Sequence, residues 1–201
     1  MAFTPCTNLL AQSLATACTE PRIKGYEAIG LIINRADINW ATVVADSGNP
    51  RMIDTLPLLA TKKAAVIYNS KKNPMPFDGT QTTYNRDADA YDKVVQFYYD
   101  GIGGVASKAV EALKDGDYVV ILERKSKYNT GSFQLFGYQK GLSAGNEGGA
   151  MVQDEATGYW LITMATQESW AEVELKDTNY TTSTPSSPWV SSAMIRWCCG
   201  D

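Results

Sequence analysis

The sequence predicts a mainly β domain, a sandwich or barrel of about ten short strands with one flanking α-helix at about residues 104–114. Three observations carry that prediction. Short runs of β-branched and aromatic residues alternate with clusters of Gly, Pro, Asn and Asp along most of the chain. Only one stretch shows convincing helical spacing of its apolar residues, Val105, Ala109, Ala112 and Leu113, with Lys108, Glu111 and Lys114 left to face water. The chain has 201 residues and 44% hydrophobic content, enough to bury a substantial core, and this length favours one domain.

The helix sits inside the most ordered stretch, VVQFYYDGIGGVASKAVEALKDGDYVVILER at 94–124. Its first residues form a strand, which the glycines at 101, 103 and 104 break because they take positive φ at little cost. Asp115, Gly116 and Asp117 end the helix, and YVVIL at 118–122 is a short apolar run of buried-strand type.

Taken in order, residues 1–24 read as an N-terminal arm, 25–182 as the β domain and 183–201 as a C-terminal tail. YEAIGLII at 26–33 is a strand whose continuous apolar half predicts burial on both faces. A turn at 34–37 precedes a second strand at 38–44 anchored by Trp40, and DSGNP at 46–50 is a loop. Strands follow at 52–59 and 63–68. NSKKNPMPFDG at 69–79 reads as an exposed, projecting segment, because its two prolines cannot donate to a ladder. Strands at 80–84 and 94–99 then pair as a long hairpin with the acidic stretch NRDADA at its tip. In SFQLFG at 132–137, Phe133 and Leu135 share a face while Gln134 points away. AGNEGG at 144–149 is expected to be a mobile turn, 151–153 and 159–166 a hairpin, and 172–175 an edge strand.

Composition excludes several functions. No histidine is present, which removes imidazole-based zinc sites and Ser-His-Asp or Cys-His catalysis. With 22 acidic against 18 basic residues the net charge is −4, a poor balance for neutralising nucleic-acid phosphates. Cys6, Cys18, Cys198 and Cys199 lie at the two ends and admit three pairings. The opening residues lack a basic segment and a long apolar one, so the expectation is cytoplasmic synthesis with mostly reduced thiols. No run approaches the ~18 apolar residues that a membrane-spanning helix needs.

Few constellations suggest chemistry. Gly101-x-Gly103-x-x-Ala106 after a strand and before a helix, with Glu123 about twenty positions on, has the order of a dinucleotide fingerprint. The chain lacks the further helices that a doubly wound sheet requires, so a tight turn into a packing helix is the better reading. Asp87, Asp89 and Asp92 lack the glycine and closing glutamate of a calcium loop. No Walker motif occurs, nothing selects a catalytic carboxylate pair, and Trp160, Trp170, Trp189 and Trp197 read first as core and strand anchors. No cofactor, metal or enzymatic activity is expected.

Four stretches together carry a resemblance: FDGTQTTYNRDADAYDKVVQFYYD, YVVILERKSKYNTGSFQLFGYQKGL, the helix between them, and GYWLITMATQES. They resemble virion structural proteins of tailed phages and prophages of anaerobic gut bacteria, across roughly residues 26–182. The organisation is similar to that of tail tube proteins. The resemblance implies a virion subunit made in the host cytoplasm, six copies of which close into a ring. Rings stack, contact other tail or neck proteins, and pass DNA through the lumen without specific binding or a membrane. A head-tail connector, neck or capsid-associated ring is the alternative, and a small nucleotide-binding domain using Gly101 to Gly104 the further one. Subunit contacts are expected from the projecting segment (Lys71, Lys72, Pro74, Pro76 and Phe77) and from the hairpin tip (Asp87, Asp89 and Asp92), since loops and strand edges pair readily with a neighbour.

Overall fold

A computed structural model describes residues 25–68, 76–100, 103–125, 133–154 and 158–176. These hold eleven strands and a single α-helix. The strands are β1 (Tyr26–Asn34), β2 (Val44–Ala45), β3 (Met52–Thr55), β4 (Ala65–Tyr68), β5 (Gln81–Asn85) and β6 (Ala90–Asp100), followed after helix α1 (Gly104–Asp115) by β7 (Tyr118–Arg124), β8 (Phe133–Phe136), β9 (Ala150–Gln153), β10 (Tyr159–Glu168) and β11 (Val173–Leu175). They form a seven-stranded sheet of order β2-β3-β11-β8-β7-β1-β4 and a four-stranded sheet of order β5-β6-β10-β9. The expected arm at 1–24 and tail at 183–201 lie outside the described residues. No helix among the described residues is long and apolar enough to cross a membrane.

The continuous apolar runs find their explanation in the large sheet. Successive side chains of a strand point to opposite faces, so a run with no polar alternation must be covered on both. In β1 and β7, Leu31, Ile33, Val119 and Ile121 enter one core cluster, and Ile32, Val120 and Leu122 enter another. The first cluster is closed by the connection between β1 and β4, through Ile38, Leu56 and Ala64. The second is the sandwich core proper, where Val95, Phe97, Ile162 and Met164 of the small sheet meet the large one, with Val110 of α1 beside them. Close approach at the centre requires Gly30, where an added Cβ would stand 2.6 Å from Leu122 Cδ2.

Several expectations need correction. Residues 38–44 do not form a strand anchored by Trp40; a 3₁₀ turn occupies Trp40–Thr42, and Trp40 lies on the surface under the Arg35 guanidinium, 4.6 Å from its ring centre. The strand near 172–175 is not an edge: β11 is inserted between β3, to which it runs parallel, and β8, which buries both Val173 and Leu175. Phe133 and Leu135 do share one face, in the first cluster, and Gln134 turns to the other; it is buried there too, because the sheet is covered on both faces, and accepts a 2.6 Å hydrogen bond from the Tyr26 hydroxyl. The turn at 144–149 is held in place rather than loose. Ser143 Oγ donates to Lys114 O at 2.5 Å, Asn146 Nδ2 donates to Ala165 O, and Ala144 is buried in the sandwich core.

Leu122 is fully buried at the junction of the two sheets. Leu122→Ala should therefore cost about 2–5 kcal/mol of unfolding free energy, read from the urea midpoint at unchanged slope.

Candidate functional site

Binding between copies of a β protein begins at sheet edges, where unpaired backbone groups wait for a partner. The hairpin of β5 and β6 forms with Asn85 opposite Ala90, leaving a four-residue turn at 86–89. Asp87 is exposed there, in a turn closed by the Asn85 side chain, which accepts from the Asp87 N–H. Asp89 adopts positive φ and accepts a hydrogen bond from the Tyr84 hydroxyl. Asp92 does not share the tip; it stands on β6, half-buried, bound by Asn85 Nδ2 at 3.0 Å and Gln167 Nε2 at 2.8 Å. Lys71, Lys72 and Pro74 lie outside the described residues, and Pro76 is half-buried. Phe77 is a correction, because it is only 2% exposed and its ring meets Tyr26 edge-on in the sandwich core, so it offers nothing to a neighbouring chain.

The small sheet has a distinctive outer face. Since Val95, Phe97, Ile162 and Met164 point into the core, alternation turns Asp92, Val94, Gln96, Tyr98, Leu161, Thr163 and Gln167 the other way. Cross-strand rows run Val152–Leu161–Tyr98 and Ala150–Thr163–Gln96, the latter tied by a 3.1 Å bond from Gln96 Nε2 to Thr163 Oγ1. No strand position on this face carries Lys or Arg, and its charges are acidic, Asp92 and Asp100.

Among the described residues, the two edges of the same sheet lack the usual protection. Natural edge strands are blunted by Lys, Pro or charge, yet β5 reads QTTYN and β9 reads AMVQ. Tyr84 and Val152 on these edges are 52% and 55% exposed.

A buried polar clasp fixes the top of this sheet to the large one. Lys93 and Glu168, 1% and 0% exposed, pair at 2.5 Å across β6 and β10. Glu168 Oε1 also accepts from the Gln139 N–H at 2.6 Å and the Lys140 N–H at 3.3 Å, while Gln139 Oε1 accepts from Ser169 N–H at 2.8 Å. Thus the turn after β8 and the end of β10, the FQLFGYQKGL and ITMATQE stretches, hold each other. Sequence reasoning missed this pair, since neither residue is marked by its neighbours; only the inward parity shared by Lys93, Val95 and Phe97 could have flagged it. Beside it Tyr138 stacks on Trp170 and meets Trp40 edge-on.

The dinucleotide order does not become a dinucleotide fold. Strands β6 and β7, which flank α1, belong to different sheets, so the unit is not the parallel strand–helix–strand crossover that such a site requires. Among the described residues no group of His, Cys, Asp and Glu could hold a metal. A scan against protein-family models matches none, and searches of curated proteins and of solved structures likewise give no match.

At the far edge of the large sheet, Lys176 bridges Asp46 and Asp54. Its hydrogen bond, with help from the Gly48 N–H, holds the Asp46 carboxyl below its ordinary 3.8, and Asp46 raises Lys176 above its ordinary 10.5.

Three outcomes follow from this geometry. Lys93→Met strands a buried carboxylate and should cost about 3–5 kcal/mol in urea unfolding, with part recovered in Lys93→Met/Glu168→Met. NAD and ATP should leave the melting temperature unchanged, whereas a true ligand at 100 times its Kd would add about 2.7 kcal/mol. The Asp46–Lys176 tether should contribute stability from about pH 4 to 10. It is lost as pH falls through the depressed Asp46 value or rises through the elevated Lys176 value. Lys176→Met should flatten both limbs of the melting temperature against pH, and unchanged limbs would refute the tether.

Proposed function

We propose that the chain is a non-enzymatic virion structural subunit of a tailed phage, a tail tube-like protein whose copies close, six to a ring, into stacked rings around a DNA channel. The observation that carries this reading is the small sheet, which among the described residues has two unprotected edges on opposite sides and an outer face without a basic strand residue. Cyclic rings need two different complementary surfaces, one on each flank of the subunit, and β5 and β9 supply such a pair. A face whose strand positions offer Asp92, Asp100, Gln, Thr and Tyr but no cation suits a bore, because DNA phosphates find little there to hold them. The overall charge of −4 acts in the same direction. Twenty-four strands would leave an open lumen, since barrels of sixteen to eighteen strands already enclose an aqueous channel.

The resemblance of the hairpin, the strand after the helix and the GYWLITMATQES strand to phage virion proteins supports the same conclusion. Its implied partners are further copies of this chain and the neighbouring tail or neck proteins, in the virion.

Negative-stain microscopy over a concentration series, with light scattering for mass, tests the reading. Stacked rings or tubes are the expected result. Isolated rings that never stack would favour the connector or neck role, and a strict monomer at high concentration would overturn self-assembly.

A further inference from the structure

The two open edges of the small sheet are not level with each other. Strand β5 lies opposite residues 94 to 90 of β6, so Thr83 is level with Asp92. Strand β9 lies across β10 from residues 96 to 99 of β6, so Val152 is level with Tyr98, six positions further along. The strands also alternate in direction through the whole sheet, so β5 and β9 run oppositely. A rotated copy placed edge to edge therefore continues the antiparallel order without a parallel seam.

Parity restricts the register. Thr83 and Val152 both point to the outer face, and a one-residue slip would set outward residues against inward ones, so only even offsets are allowed. An offset of six spans about 20 Å along the strands at ~3.3 Å per residue, taken up over four interstrand spacings of ~4.8 Å, about 19 Å. Strands in a ring of copies at one height then tilt by about 45°, at the upper end of the 35–45° that closed barrels adopt. An offset of four gives about 35° but leaves Gln153 unmatched; six pairs every residue of β9.

We propose that β9 of one copy pairs antiparallel with β5 of the next, with Val152 opposite Thr83, Met151 opposite Tyr84 and Ala150 opposite Asn85. The occupant of each edge is a second copy of this chain, and the assignment rests on the ring reading above. Two features favour it. Tyr84 and Val152 are the exposed large hydrophobic side chains on the two edges, and both become covered. The new cross-strand pairs are uncharged, joining β-branched Thr83 to Val152 and the Tyr84 ring to the Met151 thioether.

Disulfide trapping tests the register in the full chain, with Cys6, Cys18, Cys198 and Cys199 changed to Ser. Thr83→Cys with Val152→Cys should give a ladder of covalent oligomers on mild oxidation of assembled protein, and Asn85→Cys with Ala150→Cys should give the same ladder. The bond cannot form within one copy, where the two positions sit at opposite edges of the sheet, far beyond the ~7 Å limit between Cα atoms. Gln81→Cys with Val152→Cys reports the offset of four and should stay monomeric. A ladder from that pair alone, or rings in micrographs with no ladder from either pair of the six-residue register, would overturn the register while leaving the ring intact. Absence of rings before any oxidation would instead overturn the ring reading, and the register with it.

Discussion

Everything in this molecule depends on burying the central strands of the large sheet on both faces. Val119, Val120, Ile121 and Leu122 are each at most 1% exposed, which no single layer of packing achieves. One side is covered by the small sheet and α1, the other by the long connection from β1 to β4 folded back through Ile38, Leu56 and Ala64. At ~1.5–3 kcal/mol for each large apolar side chain, these two clusters supply the dominant favourable term that offsets chain entropy. The inserted β11 answers the same need, since Val173 and Leu175 enter the cluster on one face while pairing with β3 and β8 continues the sheet.

The polar interior follows from the same constraint. Sealing the top of the sandwich brings the turn after β8 against the end of β10, and its backbone N–H groups at Gln139 and Lys140 turn onto Glu168. A buried carboxylate satisfies both, and a buried carboxylate in turn demands a cation, which Lys93 provides from β6. An ion pair of this kind adds little net stability over apolar isosteres. Its contribution lies in joining three elements far apart in sequence through directional bonds that a misregistered β10 could not make.

How much of this was legible in the sequence depends on whether the signal was local. Strand β1, the hairpin of β5 and β6, helix α1, β7 and the hairpin of β9 and β10 all announce themselves through periodicity and turn residues, and all occur. What was misread was settled by distant partners. Val173 and Leu175 alternate as an edge strand would, but β3 and β8 close on both sides of them. Phe77 follows two prolines in a turn-rich segment, yet the sandwich core beside Tyr26 takes its ring, and the chain accepts a φ of 55° there. The AGNEGG turn has the composition of a mobile loop, but the end of α1 and the backbone of β10 supply partners for its polar groups. The candidate edges were visible only as strands; that they flank one sheet, offset from each other, is a property of pairing that no window of sequence contains.

That offset links the subunit to what it can build. A level four-stranded sheet repeated around an axis would stand its strands upright, a geometry that the right-handed twist of β-structure opposes. In the proposed ring, a staggered one would convert twist into closure, because each copy would begin where the tilt of the previous one leaves off. Such closure would also remove the hazard that the sequences of β5 and β9 create. Strands with neither Lys nor Pro invite any passing edge, and the way to keep such edges without aggregation is to pair each with the same partner in every copy. An even number of strands in alternating directions lets the last edge meet the first with the same antiparallel bonds as all the others. In the proposed ring, the two edges become halves of one interface, and the bland outer face between them its inner wall.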